Sequence, residues 1–332
     1  IMAAPRVTRK DDHCIEVNGW KVTSTVDAIS DADTRVRLES GHPLVLPEMF
    51  FGRNALVFEN AERGFSLGFN AIDAFEGARA TPPDESIQVQ AAAIWQRSAK
   101  IKGKAVPINW TYSTSYCGTV RRTQGDAVEE TKLWCGPDER GGPVGIDYDL
   151  LRRREPILWF KEVTLFEDEL ADNGMAVMSV KTRVMPSCFF ALLRFWVRVD
   201  GVLLRIHDTR AFHRWGTQSV VLEHSLREDR VADLVKRGHP RDMKAYREPD
   251  TFGEWLTLRR KANIVVPIWV PPAVTAPSLP RMPPPFLSED AAAASGSGVA
   301  SAAVGSGSAS AAAEESATVG EAGTDGDGGA AT

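Results

Sequence analysis

The chain has 332 residues, with 39 basic and 44 acidic side chains and 43% hydrophobic residues. Ser288–Thr332 holds seven of the acids and no Lys, Arg or aromatic residue, which leaves residues 1–287 with 39 basic against 37 acidic groups. That near-neutral balance argues against a general nucleic-acid binder, no apolar run is long enough for a membrane-spanning helix, and four scattered cysteines (Cys14, Cys117, Cys135, Cys188) suit a reducing compartment better than a disulfide framework.

Residues 1–14 read as a flexible polar arm, charged where a secretion signal needs an apolar core. The expected location is therefore cytoplasmic, with the nucleus as a second compartment. Residues 15–270 carry almost all the aromatic and β-branched residues and are expected to form one domain. Strands are predicted at Trp20–Val26, Ala55–Glu59, Phe65–Asn70, Asn109–Thr119, Thr131–Cys135, Leu158–Phe166, Ala176–Val184 and Val220–His224, where apolar and polar residues alternate. Helices are predicted at Asp31–Leu38, Glu85–Lys100, Asp147–Arg154 and Phe252–Lys261.

The clearest local signal runs from Cys188 to Asp208. Phe189, Ala191, Leu193, Phe195, Val197 and Val199 share one parity, and Asp200-Gly201 follows as a two-residue hairpin turn. That turn would place Val197 opposite Leu204, Phe195 opposite Ile206, and Trp196 opposite Arg205 for a cation–π stack. Many strands with few helices predict an α+β fold, a single domain dominated by antiparallel sheet in a two-layer, sandwich-like arrangement. From Pro267 the composition changes: eight prolines fall within Pro267–Pro285, followed by an Ala/Gly/Ser stretch. Residues 271–332 are expected to be a disordered acidic tail, whose PxxP steps give a weaker reading as a scaffold for an SH3 or WW domain.

Short motifs are weighed against plain structural readings. Gly64-Phe-Ser66-Leu-Gly68 matches the nucleophile elbow of serine hydrolases, but Phe65, Leu67 and Phe69 alternate with Ser66, Gly68 and Asn70 as in an uninterrupted strand. Ser66 therefore reads as a small residue on a strand face, and the hydrolase as an alternative. Glu167-Asp168-Glu169 with Asp172 lacks the spacing of a calcium loop and reads as a turn before Asn173-Gly174. The six histidines and four cysteines show no zinc-ligand spacing, so neither a metal nor another cofactor is expected. The triplets Arg152–Arg154 and Arg259–Lys261 read as wet helix faces before import signals. Ile206-His-Asp208-Thr-Arg210 and Asn70-Ala-Ile-Asp73 place polar groups at strand ends, as turns do or as the rim of a peptide-gripping cleft does.

Longer blocks carry a resemblance. Leu46–Leu56, Gly64–Ala74, Trp110–Thr119 and Phe160–Gly174, running on through Ser179–Ser187 to Asp200–Arg210, together resemble the TIPRL family, the TOR signalling pathway regulator-like proteins. The resemblance covers roughly Trp20 to Glu223 and fades after about Asp229. It implies a non-enzymatic, monomeric regulator that binds catalytic subunits of type 2A protein phosphatases, lowers their activity and influences holoenzyme assembly. It also implies a cleft for the phosphatase's C-terminal tail. By resemblance Asp73, Ile206 and Asp208 fall on the family's binding positions, with Ile146 a weaker match, and Arg210 stands beside them as a group suited to pair with a carboxylate.

Overall fold

The computed structural model describes residues 5–41, 45–76, 87–92, 95–97, 105–108, 115–135 and 144–269. Along the chain, β1 (Val7–Lys10), β2 (Cys14–Val17) and β3 (Trp20–Thr25) lead into α1 (Ala32–Ser40). Next come β4 (Met49–Phe50), β5 (Ala55–Asn60), β6 (Phe65–Asn70), α2 (Ala71–Glu76), and a small pair, β7 (Ile87–Gln90) with β8 (Ala105–Ile108). β9 (Tyr116–Gln124), β10 (Ala127–Trp134) and α3 (Tyr148–Leu151) precede five long strands: β11 (Trp159–Asp168), β12 (Gly174–Val184), β13 (Cys188–Val199), β14 (Leu203–Arg214) and β15 (Ser219–Arg230). The described chain closes with α4 (Val231–Lys236), α5 (Pro249–Phe252) and β16 (Leu258–Pro267).

These strands form two seven-stranded antiparallel sheets, ordered β1-β2-β3-β5-β6-β9-β10 and β16-β15-β14-β13-β12-β11-β4. The expected antiparallel α+β sandwich is what the chain adopts. Period-2 burial puts Val22, Leu56, Phe58, Leu67 and Phe69 of the first sheet and Val180, Phe189, Leu193 and Val197 of the second into one continuous core. Phe58 stacks on Phe189 across it, with ring centroids 4.3 Å apart and planes 23° from parallel, a contact that adds to the gain from burial.

The second sheet is buried on its outer side as well. Trp196, Leu204 and Ile206 pack under Leu234, Tyr246, Phe252 and Leu256, and Phe212, Val221 and Met185 pack under Ile146 and Leu150. This double burial explains why apolar residues in β13 and β14 occur on both parities. Among the described residues no helix is long and apolar enough to cross a membrane.

Several expectations are corrected. The hairpin loop has three residues, Asp200–Val202, with Gly201 at φ 72° and the Val202 N–H donating to the Val199 carbonyl at 2.9 Å. The register is therefore one residue from that of a two-residue turn. Trp196 faces Ile206, Phe195 faces His207 and Val197 faces Arg205, so the Trp196–Arg205 stack does not form. Tertiary hydrogen bonds hold this loop, from Asp200 N–H to the Asn173 carbonyl and from Val231 N–H to the Val202 carbonyl.

Ile87–Gln90, expected in a helix, is a strand, with Val89 buried between exposed Gln88 and Gln90. The helix predicted at Phe252–Lys261 ends after one turn, and from Leu258 the chain pairs along β15 as β16. Val7–Lys10, read as part of a flexible arm, pairs with β2 at the sheet edge. β9 runs on to Gln124, and β10 starts at Ala127, joined by a tight turn at Gly125. The tail expected at 271–332, most of the helix expected at Glu85–Lys100, the first part of the strand expected at Asn109–Thr119 and the Gly141–Pro143 loop lie outside the described residues.

Candidate functional site

The outer face of the second sheet carries a band of charged side chains between its two apolar caps. Its origin is the pairing register. The three-residue loop sets Arg194 opposite Asp208, Asp208 opposite Ser225, and Ser225 opposite Lys261. The next outward row sets Lys181 opposite Leu192, Leu192 opposite Arg210, and Arg210 opposite Glu223. Outward polar residues thus line up strand by strand, while Phe190 and Phe212 on one flank and Trp196 and Ile206 on the other stay under the caps.

Asp208 is the centre of this band and only 4% exposed. The Arg194 guanidinium grips it bidentately, with Nε and Nη2 donating to its two oxygens at 2.6 and 2.9 Å, and Arg210 Nη2 adds a third bond at 2.9 Å. A buried carboxylate needs such partners, because an unpaired buried charge is costly. Arg194 also bonds Asp250 of α5. Burial works against the Arg194 charge, but Asp208 and Asp250 raise its affinity for the proton still further.

Arg210 continues to Ser225 Oγ at 3.3 Å and Glu223 at 3.8 Å. Glu223 accepts from the Tyr148 hydroxyl and pairs with Lys261 at 2.9 Å. Burial, and then Glu223, push the Tyr148 hydroxyl up to about 12. Ile146 lies at the flank of the band in the apolar cap below Tyr148, and Ile206 lies in the opposite cap.

Asp73 is elsewhere. Asn70 ends β6 and caps α2 by accepting from the Asp73 N–H at 2.8 Å, while its own amide donates to the Asp73 carboxylate at 2.7 Å. The first bond is an ordinary N-terminal cap, and the second ties the two side chains to each other. Thr119 Oγ1 donates to Asp73 at 2.7 Å and Lys132 approaches to 3.2 Å. Burial raises the carboxyl, but these donors together hold it below the usual carboxylate range. Thr119 pairs with Gly68, on the outward parity of the first sheet, so Asp73 and Asp208 face opposite outer sides of the sandwich. The structure brings Ile206, Asp208 and Arg210 onto one face, with Ile146 at its edge, and does not join Asp73 to them. Asp73 instead borders a separate cleft of about 370 Å³ together with Arg53, Ser66 and Arg121.

Arg194, Glu223 and Tyr148 carry no signal of their own in the sequence, and Lys261 stands out there only in the triplet Arg259–Lys261, expected on a helix and found in β16. A two-residue turn pairs Arg194 with His207 and hides its partnership with Asp208. The polar run at 206–210 also lies within β14, which continues to Arg214, and not at a strand end. Ser66 sits mid-strand between Glu59 and Arg121, without the strand-to-helix turn of a nucleophile elbow. Asp168 caps its turn by accepting from the Leu170 N–H at 2.7 Å.

Comparison with known proteins adds an independent line. A model described as the TIP41-like family matches residues 49–235. The chain is 34% identical to a TIP41-like protein of Arabidopsis thaliana over 73% of this chain and 86% of the relative. It is 36% identical to a TIP41-like protein of Homo sapiens over 72% of this chain and 84% of the relative. It is 30% identical to a protein of Saccharomyces cerevisiae named type 2A phosphatase activator TIP41, over 71% of this chain and 69% of that protein.

Proposed function

The chain belongs to the TIP41-like family, and from that premise we propose that it is a non-enzymatic regulator that binds the catalytic subunit of type 2A protein phosphatases. The observation that carries this reading is that the matched region, residues 49–235, contains β12 to β15, which supply Arg194, Asp208, Arg210 and Glu223 to the charged band. Relatives in two yeasts are named for action on type 2A phosphatases. The band offers what an extended peptide end requires: cations for a terminal carboxylate, fixed by neighbouring acids, and apolar caps on either flank. In this reading the phosphatase tail lies along the band, with its carboxylate at Arg210 and Lys261. Asp73 and its cleft supply a second contact on the other side of the molecule.

The resemblance implies lower phosphatase activity, whereas the yeast relatives carry the word activator, so the sense of regulation is read directly by assaying the bound phosphatase. The test of binding is calorimetric titration of the full chain with a type 2A catalytic subunit, intact and lacking its C-terminal tail. Tight binding that weakens without the tail supports the band as the site. Equal binding to both forms removes the tail from the site, and binding to neither overturns the function.

A further inference from the structure

The core between the sheets contains polar groups that the proposed function does not use. β14 turns His207, Thr209 and His213 inward, and β15 turns His224 inward beside Leu222. Opposite them the first sheet contributes Cys117, at the start of β9, and Cys135, just after β10. All these groups are buried.

Cys117 Sγ, Cys135 Sγ and a His224 ring nitrogen lie within 4.8 Å of one another. Cys117 Sγ is 3.7 Å from His224 Nδ1, close to the separation of about 3.5 Å that two ligands on a tetrahedral zinc would have at ordinary Zn–S and Zn–N lengths. The Thr209 hydroxyl sits beside them, 3.6 Å from Cys117 Sγ and 2.9 Å from His224 Nδ1.

The geometry points to a structural zinc site made of Cys117, Cys135 and His224, with the Thr209 hydroxyl beside the fourth position, which clamps the first sheet to the second. Two observations support it. Two thiolates and a neutral imidazole around a divalent cation sum to zero charge, which suits a dry interior where a net charge would be expelled. Finally, His224 Nε2 and both nitrogens of His207 have no hydrogen-bond partner among the described residues. Buried imidazoles left so are costly. Nδ1 of His224 is the nitrogen that faces Cys117 and Thr209, and the His207 ring lies beside it, centred 5.7 Å away.

No spacing motif announces this set, since Cys117 and His224 are 107 positions apart and only the stacking of the two sheets joins them. The test uses the full chain prepared with zinc, desalted, and measured for metal and intact mass. The expected result is about one zinc per chain, retained in the Cys14→Ser/Cys188→Ser double variant and lost in Cys117→Ser and His224→Gln. Should those single variants fail to fold, cobalt loading of the unmodified chain provides the second readout. A thiolate-to-cobalt charge-transfer band with tetrahedral d–d absorption, lost when zinc is added back, supports the site. Absence of bound metal and of that band overturns it. So does zinc retained undiminished in both single variants, or a mass short by two hydrogens that reduction restores, which would show a Cys117–Cys135 disulfide instead.

Discussion

Asp208 and Arg210 touch each other but answer different questions. Asp208 is buried and gripped by two guanidinium groups, so Asp208→Asn leaves Arg194 and Arg210 short of a counter-charge in a desolvated place. Such a change costs about 3–5 kcal/mol of stability, and a binding defect in that variant would report unfolding as much as contact. Arg210 is a quarter exposed, and its removal leaves the Arg194–Asp208 grip intact. Arg210→Gln is therefore expected to cost about 1 kcal/mol or less in urea unfolding while weakening phosphatase affinity several-fold by calorimetry. Native affinity in a folded Arg210→Gln chain would remove the carboxylate contact from the proposal.

His213 gives a pH signature at the same scale. Burial lowers its pKa to about 4, only partly offset by its bond to the Ser219 carbonyl, whereas an unfolded chain titrates near about 6.5. The folded pKa is the lower one, so the unfolded state binds more protons between these values. Stability is complete above about pH 6.5 and declines as pH falls toward 4. Between pH 7 and pH 5 this one group accounts for a loss of about 2 kcal/mol. Urea unfolding at the two pH values should show a slope that His213→Gln reduces by that amount, and equal slopes in both chains would contradict the neutral buried ring.

At the level of elements, local turn chemistry decides more than periodicity does. Gly64 ends the 3-10 turn Ala61–Arg63 in the left-handed conformation, and a Cβ there would stand 2.1 Å from the Thr123 carbonyl oxygen. Thr123 in turn donates its N–H to Gly64 at 2.7 Å. The first glycine of the apparent hydrolase motif is thus explained by backbone approach between β6 and β9. Gly64→Ala should cost about 2 kcal/mol or more through strain plus the clash, read as a lower unfolding midpoint, whereas Ser66→Ala in the adjoining strand β6 should move it little.

The same logic explains what was legible in the chain. β3, β5, β6, β12 and β13 were readable because each has one parity wholly in the core. The register of β13 against β14 was not, because it is fixed by backbone bonds from Asn173 and Val231, far along the sequence. β16 was unreadable because Leu258–Lys261 carries three basic residues and only its pairing with β15 makes it a strand. The site shared this fate: Asp208 and Arg210 were visible as an odd polar run, but Arg194 and Glu223 become their partners only in the correct register.

For the whole molecule, the question is where the working surface ends. The family match stops at residue 235, yet the fold needs more chain, because β16 completes the second sheet and Ile268 is buried with its N–H on the Gln218 carbonyl. A truncation must keep Ile268 and can begin at 271, which removes seven acids and no aromatic residue beyond Phe286. If the charged band on the second sheet is the binding surface, the chain ending at residue 270 keeps its phosphatase affinity within about twofold, less than 0.5 kcal/mol, and its melting temperature is unchanged. A scaffold acting through the Pro-rich stretch requires the opposite, loss of partner with the fold intact. Calorimetry on the two chains side by side separates these outcomes.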